Sequence, residues 1–195
     1  GAAGRRASGV GGVVLSAPAV RRAARGYAPD GAPGVGDSSA GFVVTGPGGV
    51  RLHDWLIAAS RAGVVRVVGP NCFGVQNCDL PLNASLAAGT PRGGGGISLV
   101  TQSGAYGMAI HSLGVDEHVR FAKVYAAGNK ADISDTERLG YLADDPASRT
   151  LCFFLEPLPD GRACVEAACA ATPHEPGSVA RAGRWRARAS AAKGA

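Results

Sequence analysis

The chain has 195 residues, of which 46% are hydrophobic and 18% charged, and its formal net charge is +5. This composition excludes a chain that is disordered throughout, and the lack of any apolar run of about 18 residues predicts no membrane span and no membrane partner. Five cysteines without a C-x-x-C pair exclude a disulfide framework and a zinc site of common spacing, and they indicate a reducing cytoplasm.

The first part of the chain shows strands that alternate with helices. Short apolar runs predict strands over residues 12–16, 41–45 and 64–68. Helices are predicted over residues 17–27, with Pro18 in the first turn, and over residues 50–62, with Gly63 just after the end. The Pro-, Gly-, Asp- and Ser-rich stretch over residues 28–39 is typical of a loop.

The alternation becomes more regular after residues 77–96, a stretch of weak periodicity that ends in four glycines and is predicted to connect two domains. Strands are predicted over residues 97–101, 121–126, 150–155 and, more weakly, 178–182. Helices are predicted over residues 105–113, 134–143 and 160–171. The second of them begins with a capping box of Ser134 and Glu137. Strands separated by helices of about ten residues indicate βαβ units, an α/β fold and a parallel sheet.

Ligands bind a parallel sheet beyond the carboxyl ends of its strands, and a polar turn follows the first strand of the regular part. Gln102, Ser103 and Gly104 join that strand to a helix. The first N–H groups of a helix have no partner inside it, and the helix dipole adds positive charge, so anions bind there. A glycine that merely allows a tight turn explains the pattern equally well.

Two further strand ends carry charged residues. The turn over residues 128–132 (Gly-Asn-Lys-Ala-Asp) supplies donors or charges to the same site, or else Lys130 and Asp132 pair with each other at the surface. Glu156 follows a wholly apolar run and either orients a protonated imidazole or is an exposed loop carboxylate.

Other reactive side chains are predicted to be structural. Cys72, in the loop Gly-Pro-Asn-Cys-Phe-Gly over residues 69–74, has no adjacent base, so a buried thiol is expected rather than a nucleophile. Cysteines 152, 164 and 169 lie in apolar runs and are expected in the core. The four histidines, at positions 53, 111, 118 and 174, have no metal-ligand spacing, and a serine hydrolase is excluded because Ser103 lacks the G-x-S-x-G elbow. The basic C-terminal stretch contains one aromatic residue, Trp185, and no series of aromatic residues on which bases could stack, so no nucleic-acid partner is predicted.

Taken in order, these motifs resemble one family. They read GPNCFGVQN from residue 69, LNA from residue 82, TQSGA from residue 101, GNKAD from residue 128, YLADDP from residue 141, LE from residue 155 and DGR from residue 160. This series is similar to the NDP-forming acyl-CoA synthetases, such as ADP-forming acetate–CoA ligase, which are relatives of the succinyl-CoA synthetase alpha subunit. The resemblance covers roughly residues 41–172.

The resemblance implies an architecture and a reaction. It implies that residues 1–78 are the C-terminal part of a CoA-binding Rossmann-like domain, 79–96 a linker and 97–195 a flavodoxin-like ligase domain. Members convert an acid, CoA and a nucleoside triphosphate into acyl-CoA, nucleoside diphosphate and phosphate, reversibly, through a phosphohistidine. An ATP-grasp domain or beta-type subunit binds ATP or ADP and magnesium, so the implied partners are CoA or acyl-CoA and such an ATP-grasp unit.

The resemblance also implies roles for single residues. Gln102, Ser103 and Gly104 would form the helix start that holds the transferred phosphoryl group. Glu156 would be the acidic catalytic partner of the phosphohistidine. Two further pairs are implied: Asn129 and Lys130 would border the phosphate site, and Asn71 and Cys72 would lie near the thiol and acyl group of CoA. No metal ligand is implied for this chain.

The chain departs from the family at the histidine. In the family a Ser-His-Thr-Gly segment follows an Ala-Gly-Arg turn, and here residues 182–184 are Ala-Gly-Arg but no histidine follows. The first half of the CoA domain and the ATP-grasp domain have no counterpart either. We therefore expect a portion of a ligase that is inactive alone, with a non-catalytic acyl-CoA sensor or scaffold as the alternative and a gene relic as a third possibility.

Overall fold

The computed structural model describes residues 14–15, 34–38, 42, 46–63, 66–80, 82–156, 160–171 and 177–181. Its strands are β1 (Val14–Leu15), β2 (Gly34–Asp37), β3 (Arg66–Val68), β4 (Gly74–Asn77), β5 (Leu82–Ser85), β6 (Ile97–Thr101), β7 (Phe121–Ala126), β8 (Thr150–Leu155) and β9 (Gly177–Arg181). Its helices are α1 (Pro47–Gly63), α2 (Gly104–Asp116), α3 (Asp135–Ala143) and α4 (Gly161–Ala171). The strands form two sheets, so the predicted α/β class is confirmed.

The first sheet has three parallel strands in the order β1-β2-β3. Strand β2 corrects the predicted loop over residues 28–39: its glycine-rich backbone pairs with a strand on each side, and such pairing needs no apolar side-chain pattern. Helix α1 begins earlier than predicted, with Pro47 at its first position, where a missing N–H costs nothing. Of the predicted strand over residues 41–45 only Phe42 is described, and it lies in no strand; the predicted helix over residues 17–27 lies outside the described residues.

The second sheet has six strands in the order β5-β4-β7-β6-β8-β9. Strands β6 to β9 are parallel to one another, and β4 is antiparallel to both β5 and β7. The parallel strands and the helices between them confirm the predicted regular part almost residue for residue. Helix α3 begins with the predicted capping box, in which the Ser134 hydroxyl accepts from the Glu137 N–H and the Glu137 carboxylate accepts from the Ser134 N–H.

The stretch over residues 77–96, predicted to connect two domains, takes part in regular structure despite its weak periodicity. Strands β4 and β5 form a hairpin at the edge of the second sheet. The four glycines allow a close approach: a Cβ on Gly95 would lie 1.7 Å from the carbonyl oxygen of Arg120. The domain limits at residues 78 and 97 stay a prediction, but the hairpin that spans this region pairs with the second sheet.

The core of the second sheet lies between its central strands and helices α3 and α4. Val100, Leu139, Leu142, Leu151, Phe153 and Leu155 form one buried cluster there. Burial of each large apolar side chain contributes about 1.5–3 kcal/mol, which fixes the strands relative to one another. The strand ends that carry the polar turns are therefore held in place.

All five thiols are free. Cys152 and Cys164 are half-buried and Cys169 is exposed, which corrects the expected core position of all three. Successive residues of a helix point in different directions, and Cys169 lies on the side of α4 that faces solvent, although its apolar sequence neighbours suggested burial. In the described residues no helix has the length and apolar character needed to cross a bilayer.

Candidate functional site

The site is formed where strands β6, β7 and β8 end side by side. Thr101, the last residue of β6, pairs with Ala126 of β7 and with Phe154 of β8. Residues that follow these three strands must therefore meet at one edge of the sheet. This edge carries Gln102, the loop over residues 128–132 and Glu156.

One hydrogen bond joins Gln102 to Glu156, and a second joins Gln102 to Phe154. The Gln102 N–H donates to the carbonyl oxygen of Phe154 over 2.9 Å, and the Glu156 N–H donates to Oε1 of Gln102 over 3.1 Å. The exposed carboxyl-bearing residue Glu156 thus lies directly beside the start of α2. Sequence reasoning assigned the two residues to one site, and the structure brings them together.

Helix α2 begins in an arrangement that suits an anion. Ser103 is its N-cap, and the Ser103 hydroxyl accepts from the Tyr106 N–H over 3.3 Å. The N–H groups of Gly104 and Ala105 precede the first bond of the helix and have no acceptor within it. A Cβ on Gly104 would meet no heavy atom of the described residues within 4 Å, so there is open space beside this first turn. Open space, donors without a partner in the helix and the positive end of the helix dipole together favour a bound anion.

An aromatic stack lies between the first turn of α2 and strand β8, next to the site. The rings of Tyr106 and Phe154 lie parallel, 4.1 Å apart at an interplanar angle of 15°. The stack ties the first turn of α2 to the end of β8, on which Glu156 follows. Sequence reasoning missed it, because the two residues are distant in the chain and neither lies in a recognisable motif.

The loop over residues 128–132 is bonded to the loop over residues 69–72. The Asn129 N–H donates to the Pro70 carbonyl over 2.8 Å, and the Ala131 N–H donates to the Gly69 carbonyl over 2.9 Å. Gly128 has a φ of 59° and lies so close that a Cβ would be 2.3 Å from the Pro70 oxygen, which only glycine permits. The predicted CoA-side loop and the predicted phosphate-side loop are thus in direct contact.

Lys130 and Asp132 do not pair with each other, which corrects the surface-pair interpretation. Lys130 Nζ donates to Asp135 over 2.6 Å, and the same carboxylate accepts from Arg138 over 2.9 Å, with all three side chains less than a tenth exposed. Asp132 accepts from Arg66 over 3.0 Å. The turn places the two charges on opposite sides, because Lys130 adopts a left-handed φ of 55°.

The thiol of Cys72 is buried, as expected. It is 4% exposed, and its Sγ donates to the Asp37 carbonyl over 3.2 Å. Burial and the nearby charge of Asp37 raise the pKa of Cys72 to about 11, so the thiolate is disfavoured at neutral pH. The neighbouring Asn71 is exposed, with a φ of 57°, and its amide donates a long 3.4 Å bond to Asn129.

The described histidines lie outside this edge. His111 is 5% exposed and packs edge-on against Phe73 at 5.9 Å, and His118 is exposed; His174 is outside the described residues. In the part of the chain that the structure describes, no three His, Cys, Asp or Glu side chains are grouped to hold a metal ion.

Comparison with known proteins identifies related sequences. Residues 94–195, more than half of the chain, match the family described as "Succinyl-CoA ligase like flavodoxin domain". The alpha subunits of the ADP-forming acetate–CoA ligases I and II of Pyrococcus furiosus are 34% and 32% identical over 75% and 79% of this chain. Those matches cover 31% and 33% of the relatives, so the chain spans about a third of their length.

Solved structures share the fold. The PH0766 protein of Pyrococcus horikoshii OT3 superposes with a TM-score of 0.84 at 28% identity, over 94% of this chain and 42% of that protein. The dinucleotide-forming acetyl-coenzyme A synthetase 1 of Ca. Korarchaeum cryptofilum, in complex with phosphate and ADP, gives a TM-score of 0.82 at 26% identity, over 94% and 40% of the two chains. With a family match over more than half of its length, the chain belongs to the family of the succinyl-CoA ligase-like flavodoxin domain, and it is similar to the ADP-forming acetate–CoA ligases among the NDP-forming acyl-CoA synthetases.

Proposed function

We propose that the chain is the CoA-binding and phosphoryl-holding portion of an NDP-forming acyl-CoA ligase. The reaction joins an acid and CoA at the expense of a nucleoside triphosphate, reversibly, through a phosphohistidine that this sequence does not contain. One observation carries the proposal. The start of α2, with its N–H donors and open space, lies at the carboxyl edge of the second sheet beside Glu156, whose N–H donates to the Gln102 side chain.

The start of α2 is proposed to hold the phosphoryl group. Ser103 fixes the first turn, and the N–H groups of Gly104 and Ala105 would donate to phosphoryl oxygens. The side chain of Gln102 accepts from the Glu156 N–H, so its task is to hold the strand ends together around the anion. Such prearranged donors need no reorganisation when charge develops on the phosphate.

Glu156 is proposed to pair with the imidazole that carries the phosphoryl group. A carboxylate favours the protonated ring and fixes its orientation, so the histidine can deliver and accept the group in one geometry. The Glu156 N–H is bonded to Gln102 beside the proposed anion site, and we propose that the carboxylate faces one side of the ring and the phosphoryl group the other.

The loop over residues 69–72 is proposed to face the thiol end of CoA. Asn71 is exposed and offers a donor and an acceptor. The Cys72 thiol is buried and its pKa is raised, so Cys72 would contribute through its place in the loop and not as a nucleophile.

Asn129 and Lys130 are proposed to border the phosphate site as a rigid wall. The Asn129 N–H is already bonded to Pro70, and the Lys130 ammonium is bonded to Asp135. We therefore propose that Lys130 fixes the loop and adds positive charge behind it, without direct contact to the phosphate.

Nucleotide binding is proposed to reside on a partner. The Pyrococcus furiosus relatives are named as alpha subunits, and the Korarchaeum neighbour was solved with phosphate and ADP. We therefore assign magnesium and ATP or ADP to an ATP-grasp domain or beta-type subunit. The five free thiols suit the cytoplasm as the compartment.

Isothermal titration calorimetry with the full chain tests the proposal. Inorganic phosphate and CoA should each bind, and a mixture of acetyl-CoA, phosphate, ADP and Mg²⁺ should yield no ATP from this chain alone. CoA binding without phosphate binding would favour the acyl-CoA sensor, and binding of neither would refute both functions.

The role of Glu156 is tested with N-phosphoimidazole as a probe of the phosphohistidine. Glu156→Gln should weaken N-phosphoimidazole binding by about tenfold or more, because a charge-assisted bond to the ring is lost, and should leave inorganic phosphate binding unweakened. Glu166→Gln, which removes an exposed carboxylate paired with Arg162 on α4, is the matched control and should change neither affinity. Equal affinity of wild type and Glu156→Gln for the probe would end this assignment.

A further inference from the structure

The contact between the two sheets is built around one carboxylate, that of Asp132. Its Oδ2 accepts from the Val67 N–H over 2.8 Å and from Arg66 Nε over 3.0 Å, with the Ser60 hydroxyl at 3.5 Å. All three donors belong to α1 and β3 of the first sheet, whereas Asp132 belongs to the loop after β7. The Asp132 side chain is 16% exposed, so solvent weakens its bond to the Val67 N–H little, whereas the Arg66 side chain is 51% exposed and solvent screens that ion pair.

The bond to Val67 replaces a missing strand. Strand β3 is last in the order β1-β2-β3, so its outward N–H groups have no neighbouring strand to receive them in this sheet. Val67 is 3% exposed, and a buried N–H requires an acceptor. The Asp132 carboxylate supplies that acceptor from the other half of the protein.

Arg66 extends the contact to helix α3. Its Nη2 donates to Glu137 over 2.9 Å, and Glu137 is the residue that closes the capping box of α3. Bonds to Asp132 and Glu137 also raise the pKa of the Arg66 guanidinium. Together with the backbone bonds from Asn129 and Ala131, this makes the CoA-side loop, the phosphate-side loop and the start of α3 one bonded unit.

We propose that Asp132 is a positioning residue that couples the CoA site to the phosphate site, an inference that rests on the function proposed above. With Asp132 in place, a ligand that orders one loop also orders the other, so each ligand raises the affinity for its counterpart. Thermodynamic linkage requires the factor to be the same in both directions. Asp132 touches neither ligand and acts through the two loops.

The coupling factor is the quantity to measure. Calorimetry on the full chain gives the Kd of inorganic phosphate without CoA and with saturating CoA, and the ratio of the two is expected to be about fivefold or more. In Asp132→Ala the ratio should fall to about one. Glu166→Gln removes an exposed carboxylate on α4, which has no part in the junction, so it should keep the wild-type ratio.

Two further variants decide the matter if Asp132→Ala does not fold. Asp132→Asn keeps an oxygen for the Val67 N–H but loses the negative charge that faces Arg66. Arg66→Gln keeps Asp132 and removes the positive charge of the same ion pair. Each should give a ratio between the wild-type value and one. The coupling role is overturned if Asp132→Ala has the same ratio of phosphate Kd values as the wild type. It is also overturned if the wild-type chain binds both ligands with a ratio of one. A wild-type chain that binds neither ligand refutes the proposed function itself, which is a distinct result.

Discussion

A single methyl group at Gly104 tests the anion site at the start of α2. Gly104 has an ordinary helical φ, and a Cβ there would meet nothing within 4 Å, so Gly104→Ala should fold normally. Its free energy of unfolding should be unchanged or higher by up to about 1 kcal/mol, because alanine loses less conformational entropy than glycine in a helix. A Cβ in a helix leans toward the N-terminus, which is where the phosphoryl group is proposed to lie.

The methyl group should therefore exclude the anion while the fold stays intact. Loss of one charge-assisted hydrogen bond costs about 1.5–3 kcal/mol, which corresponds to a phosphate affinity about ten- to a hundredfold weaker in calorimetry. Gly140→Ala is the matched control: Gly140 is a helical glycine of α3 with nothing within 4 Å of its Cβ position, so it should gain the same stability and keep phosphate binding. If Gly104→Ala binds phosphate as tightly as Gly140→Ala does, the anion does not lie at this helix start and the site is misassigned.

Three other predictions concern the stability and reactivity of the chain. Asp145→Asn should lower the free energy of unfolding by about 3 kcal/mol, because Lys123 would keep its charge in a nearly buried position. In the wild type, burial opposes ionisation of Asp145, but hydrogen bonds from Lys123 and Ser148 lower its pKa below 3.8. The stability that this carboxylate contributes is therefore present above that pH and is lost on acidification through the lowered pKa. In an acid titration followed by circular dichroism, the variant should lose less stability than the wild type does. At about pH 8 iodoacetamide should modify the exposed Cys169 and spare Cys72, whose pKa burial raises to about 11; equal rates by mass spectrometry would contradict the buried thiol. Ser134→Ala should cost about 1 kcal/mol in chemical denaturation, since it removes the N-cap of α3, and an unchanged midpoint would show that the capping box is dispensable.

The regular half of the fold was predictable because its signals are local. The apolar run at residues 150–155 and the Ser134–Glu137 capping box each report on a few consecutive residues, and both elements appear where expected. The meeting of Gln102 with Glu156 also followed from sequence, since parallel strands place their carboxyl ends together.

Features set by distant contacts were not predictable in this way. Strand β2 has few apolar side chains and exists because β1 and β3 pair with it on both sides. The four glycines before β6 were interpreted only as the end of a connection between domains, whereas the nearby Arg120 backbone leaves no room for a side chain at Gly95. The partners of Lys130 and Asp132 depend on the left-handed turn and on Arg66, a residue from the other sheet.

The backbone bonds from Asn129 to Pro70 and from Ala131 to Gly69 bear on the design of chimeric ligases. Because they join main chain to main chain, most side-chain differences between homologues in these two loops are tolerable. Gly69 and Gly128 are exceptions, since a β-carbon on them would strike the Asp37 and Pro70 oxygens, and Asp132 is another, since its carboxylate bonds to β3. A hybrid that takes its first sheet from one relative and its second from another should therefore assemble, provided that these three residues are retained.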